Sequence, residues 1–420
     1  MKIKKIVFLF CFCIVGSERV WAAPKVDLQN EVILEDSEEP FSRRIYSYDV
    51  AYDSQGDLQV VYSQPVPGQN RCRIIYTYGK VEDLNNHKII LSENGKLGSV
   101  STWLRVDQND VVHISYIEFQ NDPDTSLMYR TVTNSNLSGA VLVAKGGWHT
   151  KMALNQQGAP VFLRDGVHFM QFYTPQNGSW SNIQVTLPDE NYFRGAQMRY
   201  DSTNQRYHIS YGDDYDAASD GKYSHYKYAY SDNGRDWVSS TINNRVTLWE
   251  MEFWTDLVVS SNGKVYAGMM EINRADHFNA TGLFGAFVNG SWTTQRIAGN
   301  VCPEGKSAAG GGLGFAFDKY QVLYGIWDDS PIEACNGYDG AHGNIIMGYS
   351  EDANKWQDLK QLKPYSAEGR CAVAIHDDRL ALLVLGDHTD THLHLIEYSI
   401  NGPNPGDGKA LPAVYFLLKK

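Results

Sequence analysis

Two histidines, His149 and His168, head short strand-like segments inside Gly147–Tyr173, on what reads as one edge of one sheet. Histidine alone among side chains ordinarily titrates close to neutrality, so a pair sharing an edge can take up and return protons at physiological pH. Arg194 and several tyrosines follow closely in sequence, a setting that lifts the pair above the ordinary hydrogen-bonded histidine of a strand end. A second set, His277, Cys302, Cys335 and His342, has the donor types of a closed tetrahedral zinc site of the structural kind. A Cys302–Cys335 disulfide with two incidental histidines accounts for the same residues, and loop spacing favours neither reading.

The elements that must position these groups form a repeat. Seven strand-turn-strand segments align, among them YSYDVAYDSQGDLQVVYS, HTKMALNQQGAPVFLR, AQMRYDSTNQRYHISYG and TDLVVSSNGKVYAGMM, with turn positions at Asp53, Asp107, Asn155, Asp201, Ser260, Asp318 and His376. Units of about 40–60 residues, each continuing into a third and usually a fourth strand, predict an all-β fold, a seven-bladed β-propeller forming one domain over residues 23–420. The seventh unit runs out of chain before its fourth strand, so NEVILED near the mature N-terminus is expected to pair with the last blade and close the ring. The turns Tyr230–Trp237 and Tyr349–Trp356 read as degenerate Asp-boxes, with Gln176–Trp180 and Val288–Trp292 as shorter versions; these are structural hairpins.

In a propeller blade the fourth-to-first and second-to-third connections open on one face. That rule gathers His149, His168, Arg194, Tyr211, Asp213, Asp214, Tyr215, Tyr223, His225 and Lys227 from blades three and four onto a single rim. Aromatic faces stack on sugar rings while polar groups fix their orientation, so a saccharide cleft is expected there.

Composition agrees with this and excludes other classes. Only 20% of the residues are charged while Tyr (26), Phe (16), Trp (10) and Gly (37) abound, which favours strands and turns. Residues 1–22 read as a secretory signal, with Lys2, Lys4 and Lys5, the apolar run Ile6–Val15, and the small-residue cleavage site Val20-Trp21-Ala22. The run is too short to span a bilayer, so a secreted protein, extracellular or periplasmic and with no membrane partner, is expected. The net charge of −12 becomes more negative once the signal is removed, which argues against nucleic acid as a partner. The mature chain keeps Cys72, Cys302, Cys335 and Cys371. Cys72 and Cys371 fall in blades that are neighbours in a ring, as free thiols or as a closing disulfide.

On the paired His149/His168, the tyrosine-rich fourth blade and the His277/Cys302/Cys335/His342 set, the chain resembles the seven-bladed propeller ulvan lyases, polysaccharide lyase families twenty-four and twenty-five. The resemblance implies cleavage of a sulfated uronate polysaccharide by β-elimination, with that anionic polymer as partner, a monomeric enzyme, a structural zinc and no organic cofactor. It also implies that His149 and Tyr211 share the base and acid roles, that His168 supports them, and that a cation meets the uronate carboxylate. The family's arginine falls at Lys227, a departure that loses the bidentate fork, and Arg194 is the other cation in reach. Two other readings stand beside this one. A sialidase-like hydrolase would draw its arginine cluster from Arg44, Arg194 and Arg370. A lectin-like propeller would bind without turnover, although such proteins usually repeat their binding residues on several blades.

Overall fold

The computed structural model describes residues 25–36, 47–69, 71–96, 102–121, 124–146, 149–166, 169–187, 194–213, 224–246, 255–273, 279–298, 313–329, 344–350, 356–363, 371–386 and 392–401. These form a seven-bladed β-propeller of antiparallel four-stranded blades, each running from an inner first strand to an outer fourth. The inner strands are Tyr48–Tyr52, Trp103–Val106, His149–Leu154, Arg194–Asp201, Thr255–Val259, Leu313–Phe317 and Ala372–His376. Each touches the next in order, and Ala372–His376 touches Tyr48–Tyr52. One bridge, Gly95 opposite Glu118, also joins blades one and two at their edges.

The N-terminal strand Lys25–Asp36 pairs antiparallel with His392–Asn401 and so serves as the outer strand of blade seven. Glu397 sits at this seam, accepting a hydrogen bond from Tyr52 Oη of blade one at 2.9 Å and facing Arg379 at 3.5 Å. Arg379 in turn donates to the Gly56 carbonyl of blade one at 2.8 Å.

Between blades, buried carboxylates on or beside the inner strands serve backbone donors that no sheet partner reaches. Asp256 takes Arg199 of blade four on Oδ1 at 2.8 Å and the Phe315 amide of blade six on Oδ2 at 3.0 Å. Asp49 repeats the device, accepting Leu104 N at 3.1 Å and Arg105 of blade two at 2.7 Å. Blades six and seven approach too closely for any side chain at Gly314, where a Cβ would lie 2.5 Å from the Cys371 carbonyl oxygen.

Five of the seven first-to-second turns, at Asp53, Asp107, Asn155, Asp201 and Asp318, are Asx turns. Asp53 Oδ1 accepts from Gln55 N and Asp57 N, and Asp107, Asn155 and Asp318 hold their turns in the same way. In blades two and four this end of the sheet also buries an Asp-His-Tyr cluster, in which only the His-Tyr contact is a hydrogen bond. His208 Nδ1 lies 2.6 Å from Tyr228 Oη with Nε2 3.8 Å from Asp201, and His113 repeats the arrangement with Tyr129 and Asp107.

The Asp-box expected at Tyr230–Trp237 forms: Asn233 Oδ1 accepts Arg235 N and Asp236 N, and Trp237 Nε1 donates to Gly234 O at 3.2 Å. The segments 176–180 and 288–292 differ from that expectation. Asn177-Gly178 and Asn289-Gly290 all have positive φ, which makes both segments two-residue Asn-Gly hairpins rather than shortened Asp-boxes.

Two measurements check this account. Asp256→Ala leaves buried donors in blades four and six unserved, and urea unfolding should show a loss of about 3 kcal/mol. Burial lowers the His208 pKa to about 4, so the folded state resists a proton that the unfolded chain accepts below pH ~6.5. That contribution is complete above pH ~6.5 and is lost as pH falls toward 4, on the order of 3 kcal/mol in all. Unfolding of wild type and His208→Gln between pH 7.5 and 4.5 should show a steeper acid loss in wild type; parallel curves would refute the assignment.

Candidate functional site

Register places the rim residues of blades three and four. In blade three the inner strand pairs with Pro160–Gly166 so that His149 faces Asp165, Lys151 faces Leu163, and Ala153 faces Val161. Directly opposed and alternate residues share one face of an antiparallel pair. Ala153, Val161 and Leu163 pack in one core cluster with Ile209, Tyr211 and Ala229 of blade four. His149 and Asp165 therefore stand on the surface that blade three turns toward blade four.

In blade four Arg206–Asp213 pairs with Ser224–Ser231, setting Ile209 opposite Ala229, Tyr211 opposite Lys227, and Asp213 opposite His225. Tyr211, Lys227, Asp213 and His225 thus continue the face turned toward blade three. The two rows meet at one blade interface, at the strand ends where the first-strand heads and second-to-third connections lie. Asp165 fixes the approach by accepting a hydrogen bond from Ala196 N of blade four at 3.2 Å, and it is itself buried.

Lys227 Nζ lies 3.0 Å from Asp213 Oδ2, with side chains 17% and 5% exposed. His225 Nδ1 stands 3.9 Å from the same oxygen, near enough to feel its charge and too far for a hydrogen bond. His149 is partly accessible, whereas Tyr211 is fully enclosed. The face therefore offers solvent two imidazoles and one ammonium, with the enclosed Tyr211 opposite Lys227 in register. Such a surface brings imidazole and ammonium groups together where an anionic group can be met.

Of the residues expected from sequence, His149, Tyr211 and Lys227 come to this interface. Arg194 lies opposite Gly212 in register. His168, the set His277, Cys302, Cys335 and His342, and the arginines Arg44 and Arg370 lie outside the described residues, as do residues 1–22. Among the described residues no group of three or more His, Cys, Asp and Glu could hold a metal, and no helix is long and apolar enough to cross a membrane. Cys72 and Cys371 are buried in two separate core clusters and are not bonded to each other, so the closing disulfide does not form; burial pushes the Cys72 thiol up to about 12.

Sequence reasoning missed Asp165 and the tie between Asp213 and Lys227. The signal was present as spacing: Tyr211-x-Asp213 and His225-x-Lys227 each place two polar groups on one strand face.

No protein-family model and no curated protein matches the sequence. Solved structures match in fold. A polysaccharide lyase, Uly1, superposes with a TM-score of 0.53 at 10% identity, over 89% of this chain and 99% of that one. A PL25 ulvan lyase bound to -[GlcA(1-4)Rha3S]- gives 0.51 at 10% identity, over 91% and 95%. A protein of unknown function from Dyadobacter fermentans gives 0.50 at 11% identity, over 89% and 99%. At such identities these likenesses define the architecture, and the chain shares the propeller fold of the ulvan lyase structures.

Proposed function

We propose that this protein is a secreted polysaccharide lyase that cleaves a sulfated, uronate-containing polymer of the ulvan type by β-elimination. The observation that carries the reading is the meeting of His149, Tyr211, His225 and Lys227 on the facing surfaces of blades three and four. The fold shared with two lyase structures, one bound to a glucuronate–sulfated rhamnose oligomer, supports the choice of substrate class.

The chemistry makes three demands. The uronate C5 proton is barely acidic until its carboxylate is neutralised, and the Lys227 ammonium supplies that charge. A base then takes the C5 proton; His149, partly accessible at the head of the inner strand of blade three, is assigned that role. The C5–H electron pair forms the C4–C5 double bond, the C4–O bond breaks, and the departing oxygen receives a proton. In this reading Tyr211 delivers it once saccharide binding opens the enclosure around its ring, with His168 in support. Arg194 is the second cation assigned to the carboxylate. Export through the signal at residues 1–22 and action as a monomer belong to the same reading, as does a structural zinc. His277, Cys302, Cys335 and His342 have the donor set for the zinc, and no step depends on it.

Incubation with ulvan should generate the near-ultraviolet absorbance of an unsaturated uronate. Hydrolysis would release products without that absorbance, and silence on ulvan and every other uronate polymer would sink the lyase reading. His149→Ala and Lys227→Met should each lower kcat/KM by about 10²–10³ with melting temperature unchanged. Tyr211→Phe should do likewise; a near-normal rate would leave proton delivery to the histidines. For the zinc, metal analysis of the mature protein should find one equivalent that Cys302→Ser loses.

A further inference from the structure

Blade three has a second polar face at the same rim, turned the other way. Phe162 packs with Trp103, Ile117, Leu127 and Val143 of blade two. Arg164, two residues on along the same strand, shares that face with Gln171, its partner in register, while His149 and Asp165 stand on the opposite one. Arg164 also faces Thr150, the residue after His149. A polymer lying over the rim of blade three would therefore meet His149 on one side and Arg164 on the other.

The guanidinium is held in place and only half used. Nη1 donates to Gln171 Oε1 at 3.1 Å and to Tyr173 Oη at 3.4 Å, and Tyr173 Oη itself donates to Gln171 Oε1 at 2.8 Å. The Phe169 ring centroid lies 4.9 Å from the guanidinium carbon. Among the described residues Nε is enclosed with no partner, and Nη2 makes no hydrogen bond. These two atoms donate in parallel from one edge of the fork, the edge that grips an oxyanion with two bonds. No carboxylate neutralises the charge either. Arg105, Arg199, Arg206 and Arg379 each face an aspartate or glutamate, whereas Arg164 faces none among the described residues. At Gly146, just past the outer strand of blade two and at φ +72°, a Cβ would lie 3.0 Å from Nη2, so the glycine keeps that edge from being covered. An enclosed donor without an acceptor is a standing cost to the fold, and an arginine that only packed two blades together would have that edge satisfied.

We infer that Arg164 anchors a second anion subsite, which takes the sulfate ester of a sugar next to the uronate being cleaved. This rests on the lyase reading for the polymer, while the oxyanion site stands on the guanidinium geometry. The uronate carboxylate belongs to the cation on the other face of the blade. In a polymer that alternates uronate with sulfated sugar, the anion left for Arg164 is the sulfate. Phe169, partly accessible beside the guanidinium, gives the sugar that carries it an apolar surface. Contacts here hold the polymer equally before and during elimination, so the subsite governs KM and the choice of polymer rather than the chemical step.

The experiment uses the mature chain with Arg164→Gln and Arg164→Lys, on ulvan and on chemically desulfated ulvan. Arg164→Gln should raise KM on ulvan by about 10- to 100-fold with kcat close to wild type, and should leave the kinetics on desulfated polymer unchanged. Arg164→Lys keeps the charge without the fork and should recover only part of the loss. A normal KM on ulvan overturns the subsite. An equal loss on both polymers overturns it too, because it assigns Arg164 to packing or to the carboxylate. A wild-type protein inactive on every uronate polymer removes the lyase reading, and electrophoresis through gels containing dextran sulfate, a sulfated polymer without uronate, then decides the subsite. Wild type should be retarded there relative to gels containing plain dextran, and Arg164→Gln several-fold less. Equal retardation of the two proteins, or none of wild type, overturns the sulfate site.

Discussion

An inner strand of a propeller blade has a sheet partner on one side only, so half of its backbone donors and acceptors face the channel without a ladder. Left buried and unserved, each such group would cost about 1–3 kcal/mol, and the inner edge recurs seven times. The structure answers with short polar side chains that reach from one inner edge to the next. Asp49 reaches Leu104, Asp165 reaches Ala196, Asp256 reaches Phe315, and Gln197 donates to the Thr255 carbonyl. Blade-to-blade apolar packing is non-directional and tolerates sliding; these hydrogen bonds do not. They set each blade's height and tilt, and a site built at a blade interface inherits that precision. Asp165 belongs both to this series and to the row of His149, so the same hydrogen bond that orders the fold orders the candidate site.

Placement along the strand then separates the enclosed structural histidines from those of the candidate site. His208 sits on the same second strand as Tyr211, yet it lies toward the turn end, stacked on Tyr228 with Asp201 behind it, and burial keeps it neutral. A few residues on, the strand reaches the open face and carries Tyr211 and Asp213. The protein uses similar residue types at both ends, and depth decides which can meet a ligand. An acidic chain that is to bind an anion must confine positive charge to a small area; here even that charge is paired, so attraction is local to the blade interface rather than a field over the face.

Much of the fold was legible in the sequence because the propeller repeats its turn chemistry. Asp53, Asp107, Asn155 and Asp318 all hold their turns through side-chain oxygens, and a residue with a fixed job at a fixed place is visible without any structure. The N-terminal strand was legible by counting, since the seventh unit lacked its fourth. Less legible were features that depend on register across a long connection. Tyr211 and Lys227 are direct neighbours only because Ile209 falls opposite Ala229, and nothing in the intervening residues announces that pairing. The Asn-Gly hairpins were misread for a related reason. Asn-Gly followed closely by a tryptophan is common to Gln176–Trp180, Val288–Trp292 and Tyr230–Trp237, so a shared sequence suggested a shared turn where the backbone conformations differ.

The enclosure of Tyr211 bears on how such a surface could work. A phenol with no exposed surface cannot touch a saccharide while the interface keeps this packing, whereas His149, His225 and Lys227 can. Under the proposed lyase reading the accessible groups would meet a uronate first, and the phenol would enter only when the ligand displaces what covers it. That order has a chemical rationale. Proton abstraction and carboxylate neutralisation are needed before the leaving oxygen carries much charge, and an acid held out of water until then is spared exchange with solvent. Tyr211 and Lys227, opposed in register, would move with one strand pair, so the phenol and the ammonium keep their spacing whatever a ligand does to the walls around them.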